Sequence, residues 1–334
     1  MTEHWQVEGP RVIDVGGEQQ RVTKVIVAIV GGHVDVLGHA AATGAPTSED
    51  GDTIPGGPHG ARVQVTSVQG LPLRVSWDGS TLRVMHVKET DETVLDALKR
   101  LIGARGVPTA VVTVSVPAQC RANVNTVSAS VLASGLHRGL TVNTVSGEAT
   151  VSEVGPTLTL HTVSAPAECA GLEGEASIAT VSGDVLLHSS ALTRAAVNTV
   201  SGTVGLDLTQ GQVTVRSSSV SGDVTVRAPF TGYAVGASTM SGQVVVDGTA
   251  LARPREGNTR SARAGDESLV VKANSVSGNI VVLRSEPQDA SPHPAPQDAP
   301  EPPPTPEPPP THPDSWPTGS PWVDQVDDPE GFPS

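Results

Sequence analysis

Eight serines recur with the same neighbours, and a serine hydroxyl held beside a base is a nucleophile. They are Ser128, Ser146, Ser164, Ser182, Ser201, Ser221, Ser241 and Ser277, spaced 18, 18, 18, 19, 20, 20 and 36 residues apart. Nucleophilic catalysis needs a base within hydrogen-bond reach and a third group to orient that base. No His or Asp stands at a fixed offset from all of these serines. A column of hydroxyls stacked repeat on repeat accounts for all eight copies at once, so the serines are read as a structural ladder.

Carboxylates were the next candidates, because glycoside cleavage needs two of them at a set separation. The position two after the serine reads Glu148, Pro166, Asp184, Thr203, Asp223, Gln243 and Asn279, with no two acids in neighbouring repeats. Acids two repeats apart lie ~10 Å from each other in a stacked sheet, too far for a tight dyad or a shared metal. The ten histidines lack paired ligand spacing, and aromatic residues make up only 2% of the chain, which removes sugar-stacking platforms. The expectation is a protein that is not an enzyme and uses no metal or cofactor.

The elements carrying these serines are strands. Each serine sits in a Thr-Val-Ser-Gly-like signature, best kept at Thr180–Gly183 and Ser219–Gly222. Three and five residues later come small or apolar residues, for example Val185 with Leu187 and Val224 with Val226. A second apolar pair precedes the serine by six and four, such as Leu140 with Val142 and Leu158 with Leu160, and its parity is opposite. A strand changes its inward face only through a bend. The bend is placed at Asn-Thr, as in Asn143-Thr144, with the valine before the serine pointing inward and the serine outward. This pattern predicts an all-β chain, a parallel β-solenoid (a single-stranded β-helix) of 18–20-residue rungs over residues 107–285.

The flanks differ. Residues 1–88 read as an N-terminal β region with degenerate repeats at Val25–Val36 and a hairpin, where Val75 and Trp77 meet Leu82 and Val84 across Asp78-Gly79. Residues 89–106 hold one short capping helix, with Val94, Leu95, Leu98, Leu101 and Ile102 on one stripe. Residues 286–334 carry 17 of the 28 prolines and ten of the 35 acids with no Lys or Arg, the composition of a disordered tail. Trp316 and Trp322 in that tail are candidate docking residues for a protein partner.

Net charge is −14, and no basic stripe is present, so nucleic acid is excluded as a partner. No segment approaches 18 consecutive apolar residues, which predicts no membrane span. Met1–Pro10 contains Glu3, His4 and Glu8 rather than an apolar run, unlike a secretory signal, so the expected location is the cytoplasm. Cys120 and Cys169 fall at different repeat positions and are expected to be free, buried thiols.

With the repeats set out, the chain resembles the bacterial adhesin-like family of β-strand-repeat proteins, a domain of unknown function with Val-Ser-Gly-Asp-Val repeats. Val107 to Arg284 carries the resemblance, through Val107-Pro108, Val116-Pro117 and the recurring signature. Gly is replaced at Ser128-Ala129 and Ser164-Ala165. The resemblance implies a non-enzymatic scaffold or protein-interaction module. Its alternatives are an exported cell-surface adhesin, or a filament that self-associates end to end as bactofilins do.

Overall fold

The computed structural model describes residues 2–17, 20–39, 59–86, 107–252 and 258–285. The proposed capping helix at 89–106 and the tail at 286–334, with Trp316 and Trp322, lie outside the described residues. Among the described residues there are strands, turns and bends and no helix.

The N-terminal strands are β1 (Glu3–Val7), β2 (Arg11–Val15), β3 (Lys24–His39), β4 (Ala61–Gln69), β5 (Leu73–Trp77) and β6 (Thr81–Met85). The repeats supply β7 (Thr109–Pro117), β8 (Arg121–Ser134), β9 (Leu140–Asn143), β10 (Ala149–Ser152), β11 (Thr157–Thr162), β12 (Ala167–Ala170) and β13 (Glu173–Ser182). They continue with β14 (Val185–Ser201), β15 (Val204–Leu208), β16 (Val213–Ser221) and β17 (Val224–Ala228). The C-terminal set is β18 (Tyr233–Thr239), β19 (Val244–Val246), β20 (Thr249–Ala250), β21 (Thr259–Ala264), β22 (Leu269–Ser275) and β23 (Ile280–Arg284).

Register follows the repeat. Leu140 pairs with Leu158, and Leu158 with Ala176, in one parallel ladder; Val131, Ala149, Ala167 and Val185 pair in succession in a second. Both apolar pairs of each repeat point inward, and the two inner faces make one core of Val, Leu and Ala. Each fully buried Val or Leu contributes about 1.5–3 kcal/mol. Apart from Trp77 and Phe230, small aliphatic side chains fill most inward positions in place of the large rings that most cores of this size contain.

The expected open solenoid is corrected by how the two ladders join. β8 runs unbroken through its Asn125–Ala129 corner, and β14 runs unbroken through the opposite, return side of its rung, from Leu187 to Ala195. Each serves both ladders, so β8, β9, β11, β13, β14, β12 and β10 form a hydrogen-bonded circuit that returns to β8. This is a closed seven-stranded, all-parallel barrel with additional sheets at its ends. Periodicity specified which residues face inward, but it carried no information on whether the strand is interrupted between the two faces.

The N-terminal sheets extend the barrel through β3, which pairs parallel with β8 along almost its whole length: Val25 with Ala122, Val27 with Val124, Val34 with Val131. β6, β5 and β1 continue one sheet from β3, and β7, β4 and β2 the other. The hairpin has the expected register, with Val75 opposite Val84 and Trp77 opposite Leu82. Gly32 is required where β3 meets β7, because its φ is +111° and a Cβ there would overlap the carbonyl of Ala110.

At the other end the stacking order departs from chain order. β22 lies between β16 and β18, and β23 lies between β17 and β19. The last repeat is therefore inserted between the two that precede it in sequence. The antiparallel strands β21 and β20 cover the outer edges of β18 and β19. Arg260 on β21, 5% exposed, lies opposite the buried Ala237.

Candidate interaction surface

The Thr-Val-Ser-Gly signature is the one feature repeated on the outside, and its geometry differs from the expectation in two ways. The threonine is buried: Thr126, Thr144, Thr162, Thr180, Thr199, Ser219, Thr239 and Ser275 are all 3–7% exposed. The valine is not. Val145, Val163, Val181, Val200, Val220 and Val276 are 40–48% exposed, and Met240 is 61% exposed. The valine column thus points to solvent, which corrects the inward assignment.

The reason is the position of the corner. Alternation runs unbroken from Val142 inward and Asn143 outward to Thr144 inward and Val145 outward, and Ser146 then also faces out before Gly147 turns in. The change of face falls between valine and serine, one step beyond the Asn-Thr pair. Buried threonine closes this arc. Thr144 Oγ1 donates to the carbonyl of Gly147 at 3.3 Å and accepts the Gly147 amide at 3.2 Å. Thr126, Thr162 and Ser219 likewise donate to the carbonyls of Ala129, Ala165 and Gly222. A hydroxyl that can donate and accept within its own turn fits this place, while Thr180 Oγ1 and Ser275 Oγ are buried there without a partner.

Across repeats the arcs stack through the backbone. The amides of Ser146, Ser164 and Ser182 donate to the carbonyls of Val127, Val145 and Val163, each within 2.7–2.8 Å. The Ser277 amide reaches Val220, and that of Ser241 reaches Val276. All eight ladder serines, from Ser128 to Ser277, are exposed in one column. Ser146 Oγ donates to Val127 O at 3.1 Å and Ser128 Oγ to Val30 O at 3.3 Å, so these hydroxyls bond backbone carbonyls rather than each other.

On the other side of the valines runs a polar column. Asn125, Asn143, His161, Ala179, Asn198, Ser218, Asn274 and Ser238 pair in that order. Asn143 Nδ2 donates to Asn125 Oδ1 at 2.9 Å, a side-chain amide bond between adjacent repeats. Between this column and the valines lies a shallow groove of about 210 Å³, lined by Ala179, Asn198, Val200 and Val220 among others.

Chemistry elsewhere is sparse. Among the described residues no three His, Cys, Asp or Glu side chains gather where they could hold a metal ion. A larger surface depression of about 480 Å³ is lined by Thr193, Gln212, Thr214, Asp266, Glu267 and Ser268. Asp266 there is already engaged, accepting from Thr231 Oγ1 at 2.7 Å and from the Ser268 amide at 3.2 Å; those bonds hold its carboxyl below the usual range. Cys120 and Cys169 are buried and free, and desolvation pushes each thiol up to about 12, away from the reactive thiolate. The carboxylates of Asp184 and Asp223 accept backbone amides from neighbouring repeats. No helix among the described residues is long and apolar enough to cross a membrane.

An all-β repeat domain with a continuous outward ridge and one buried Thr or Ser beneath it in each repeat is thereby defined. The chain belongs to the Toastrack DUF4097 family, whose pattern matches residues 60–283. No curated protein matches the sequence. Two solved structures share slight similarity. One is a candidate cell adhesion protein from Clostridium sporogenes, 12% identical, with a TM-score of 0.27, covering 83% of this chain and 100% of that one. The other is a candidate lipid binding protein from Parabacteroides distasonis, 11% identical, with a TM-score of 0.37, covering 83% and 97%. Similarity this slight transfers no function.

Proposed function

We propose that the protein is a non-catalytic interaction module that binds protein through the valine ridge and the neutral columns beside it. The observation that carries this reading is the run of exposed valines from Val145 to Val276. Contiguous apolar surface of several hundred Å² on one face is a feature of interaction sites, whereas single exposed apolar residues need no explanation. Adhesion, implied by the sequence resemblance, is one use to which such a ridge can be put. End-to-end assembly into a filament gains nothing from the fold, since β20 and β21 reverse strand direction at the C-terminal end.

A photo-crosslinking side chain at Val200, compared with one at Thr150 on the other outer face, tests the proposal in living cells. Protein adducts at position 200 and not at 150 are expected. Equal labelling by solvent alone at both positions would overturn it.

A further inference from the structure

We propose that the ridge pairs with the ridge of a second copy of this chain, forming a two-fold dimer side by side rather than end to end. This rests on the reading that the ridge binds protein, and it names the partner.

Charge is the first argument. The ridge, the serine column and the Asn column make twenty-four positions, three columns of eight, with no Asp, Glu, Lys or Arg among them. Charged residues are 17% of the chain, so about four would be expected there at the average rate. Ten of the 14 net negative charges lie in residues 286–334, so the part that carries the ridge is close to balanced, and a face without charge brings no like charges into contact when two copies meet. A partner of unlike charge would favour the opposite pattern, with basic or acidic residues placed along the ridge to attract it.

Area is the second. The exposed valines with Met240 present roughly 500 Å² of apolar surface, and two copies together bury about 1,000 Å², the lower bound of a specific interface, before the flanking columns add to it. Form is the third. Stacked strands lie about 4.8 Å apart, so the ridge is a row of evenly spaced knobs. A row of this kind is complementary to itself when one copy is displaced by half a step, and self-complementarity is what a two-fold interface requires.

The test is sedimentation of the full chain with and without Val181→Asp, Val200→Asp and Val220→Asp in combination. All three side chains are outward, so far-UV circular dichroism and melting temperature should be unchanged. Should the triple Asp variant not fold, the corresponding triple Ser variant replaces it. A dimer at ten micromolar is expected for the parent, with dissociation raised about a hundredfold or more in the variant. A parent chain that stays monomeric at a hundred micromolar, or a variant that still dimerises, overturns the proposal. If Val200 crosslinks to a different protein while the purified chain is monomeric, the binding ridge stands and the choice of partner fails.

Discussion

Asp184 accepts the backbone amide of Thr203 through Oδ1 at 2.7 Å, so a side chain of one repeat completes the hydrogen bonding of the next. Asp223 does the same for Asn279 at 2.7 Å, and Asn279 Oδ1 in turn accepts the Gln243 amide at 3.1 Å. These links hold the corner together just beyond the glycine, where strand pairing lapses. Asp184→Ala should lower stability by about 1 kcal/mol, and Asp184→Asn, which keeps the acceptor, by less. Urea denaturation of the two variants checks the order, which the reverse ranking would contradict.

Thr144→Val removes the hydroxyl from a buried arc at nearly constant volume. The Gly147 amide then has no acceptor, at a cost of about 1–3 kcal/mol. Thr144→Ser should recover most of the loss, as Ser219 occupies the same place in its own repeat and bonds the Gly222 carbonyl there. Thermal melts of the three proteins make the comparison; Ser no better than Val would show that the hydroxyl is not what matters.

His86 gives a pH dependence with a definite sign. It is buried, its Nδ1 accepts the Val30 amide at 3.2 Å, and desolvation pushes the imidazole from 6.5 down to about 4. Between those values the unfolded chain binds a proton that the folded chain does not. Its contribution is therefore whole above pH 6.5 and falls away as pH drops to about 4, by up to about 3 kcal/mol. His86→Leu should be less stable at pH 8 yet lose less stability between pH 6.5 and 4 than the parent. Parallel slopes for the two proteins would rule out this assignment.

Arg260 closes the C-terminal end of the core with its guanidinium poorly paired. Nη2 donates to Gly242 O at 3.4 Å, while Nε and Nη1 are buried without partners. A charge in that state costs more than an apolar chain of similar length. Arg260→Met should leave stability unchanged or raise it by about 1–4 kcal/mol in denaturant titration, and a loss greater than about 2 kcal/mol would show that the guanidinium is needed.

How far the sequence could be read depended on which pattern was asked of it. Inward positions such as Val131 with Ala133 and Leu158 with Leu160 were legible because alternation and repeat length both report on burial. The hairpin from Leu73 to Met85 was legible for the same reason, with Asp78-Gly79 marking the turn. The direction of Val145 was not, since an apolar residue beside a corner fits either face and composition favours the inner one. Only the geometry of the Thr144 arc settles it. The continuity of β8 and β14, which closes the barrel, leaves no mark on hydrophobic spacing. Nor could the stacking order of the last repeats be read, because repeats alike in their inward residues are interchangeable as neighbours.

That last point concerns time as well as space. Tyr233–Val246 has as its inner neighbour a segment, Leu269–Arg284, that a ribosome makes afterwards. Whatever Tyr233–Val246 does while the chain emerges, its final place against β22 and β23 cannot exist until residue 284 has been added. The C-terminal end of this barrel therefore cannot be built by adding one repeat after another, and a duplication of the final repeat would have no free parallel edge on which to settle.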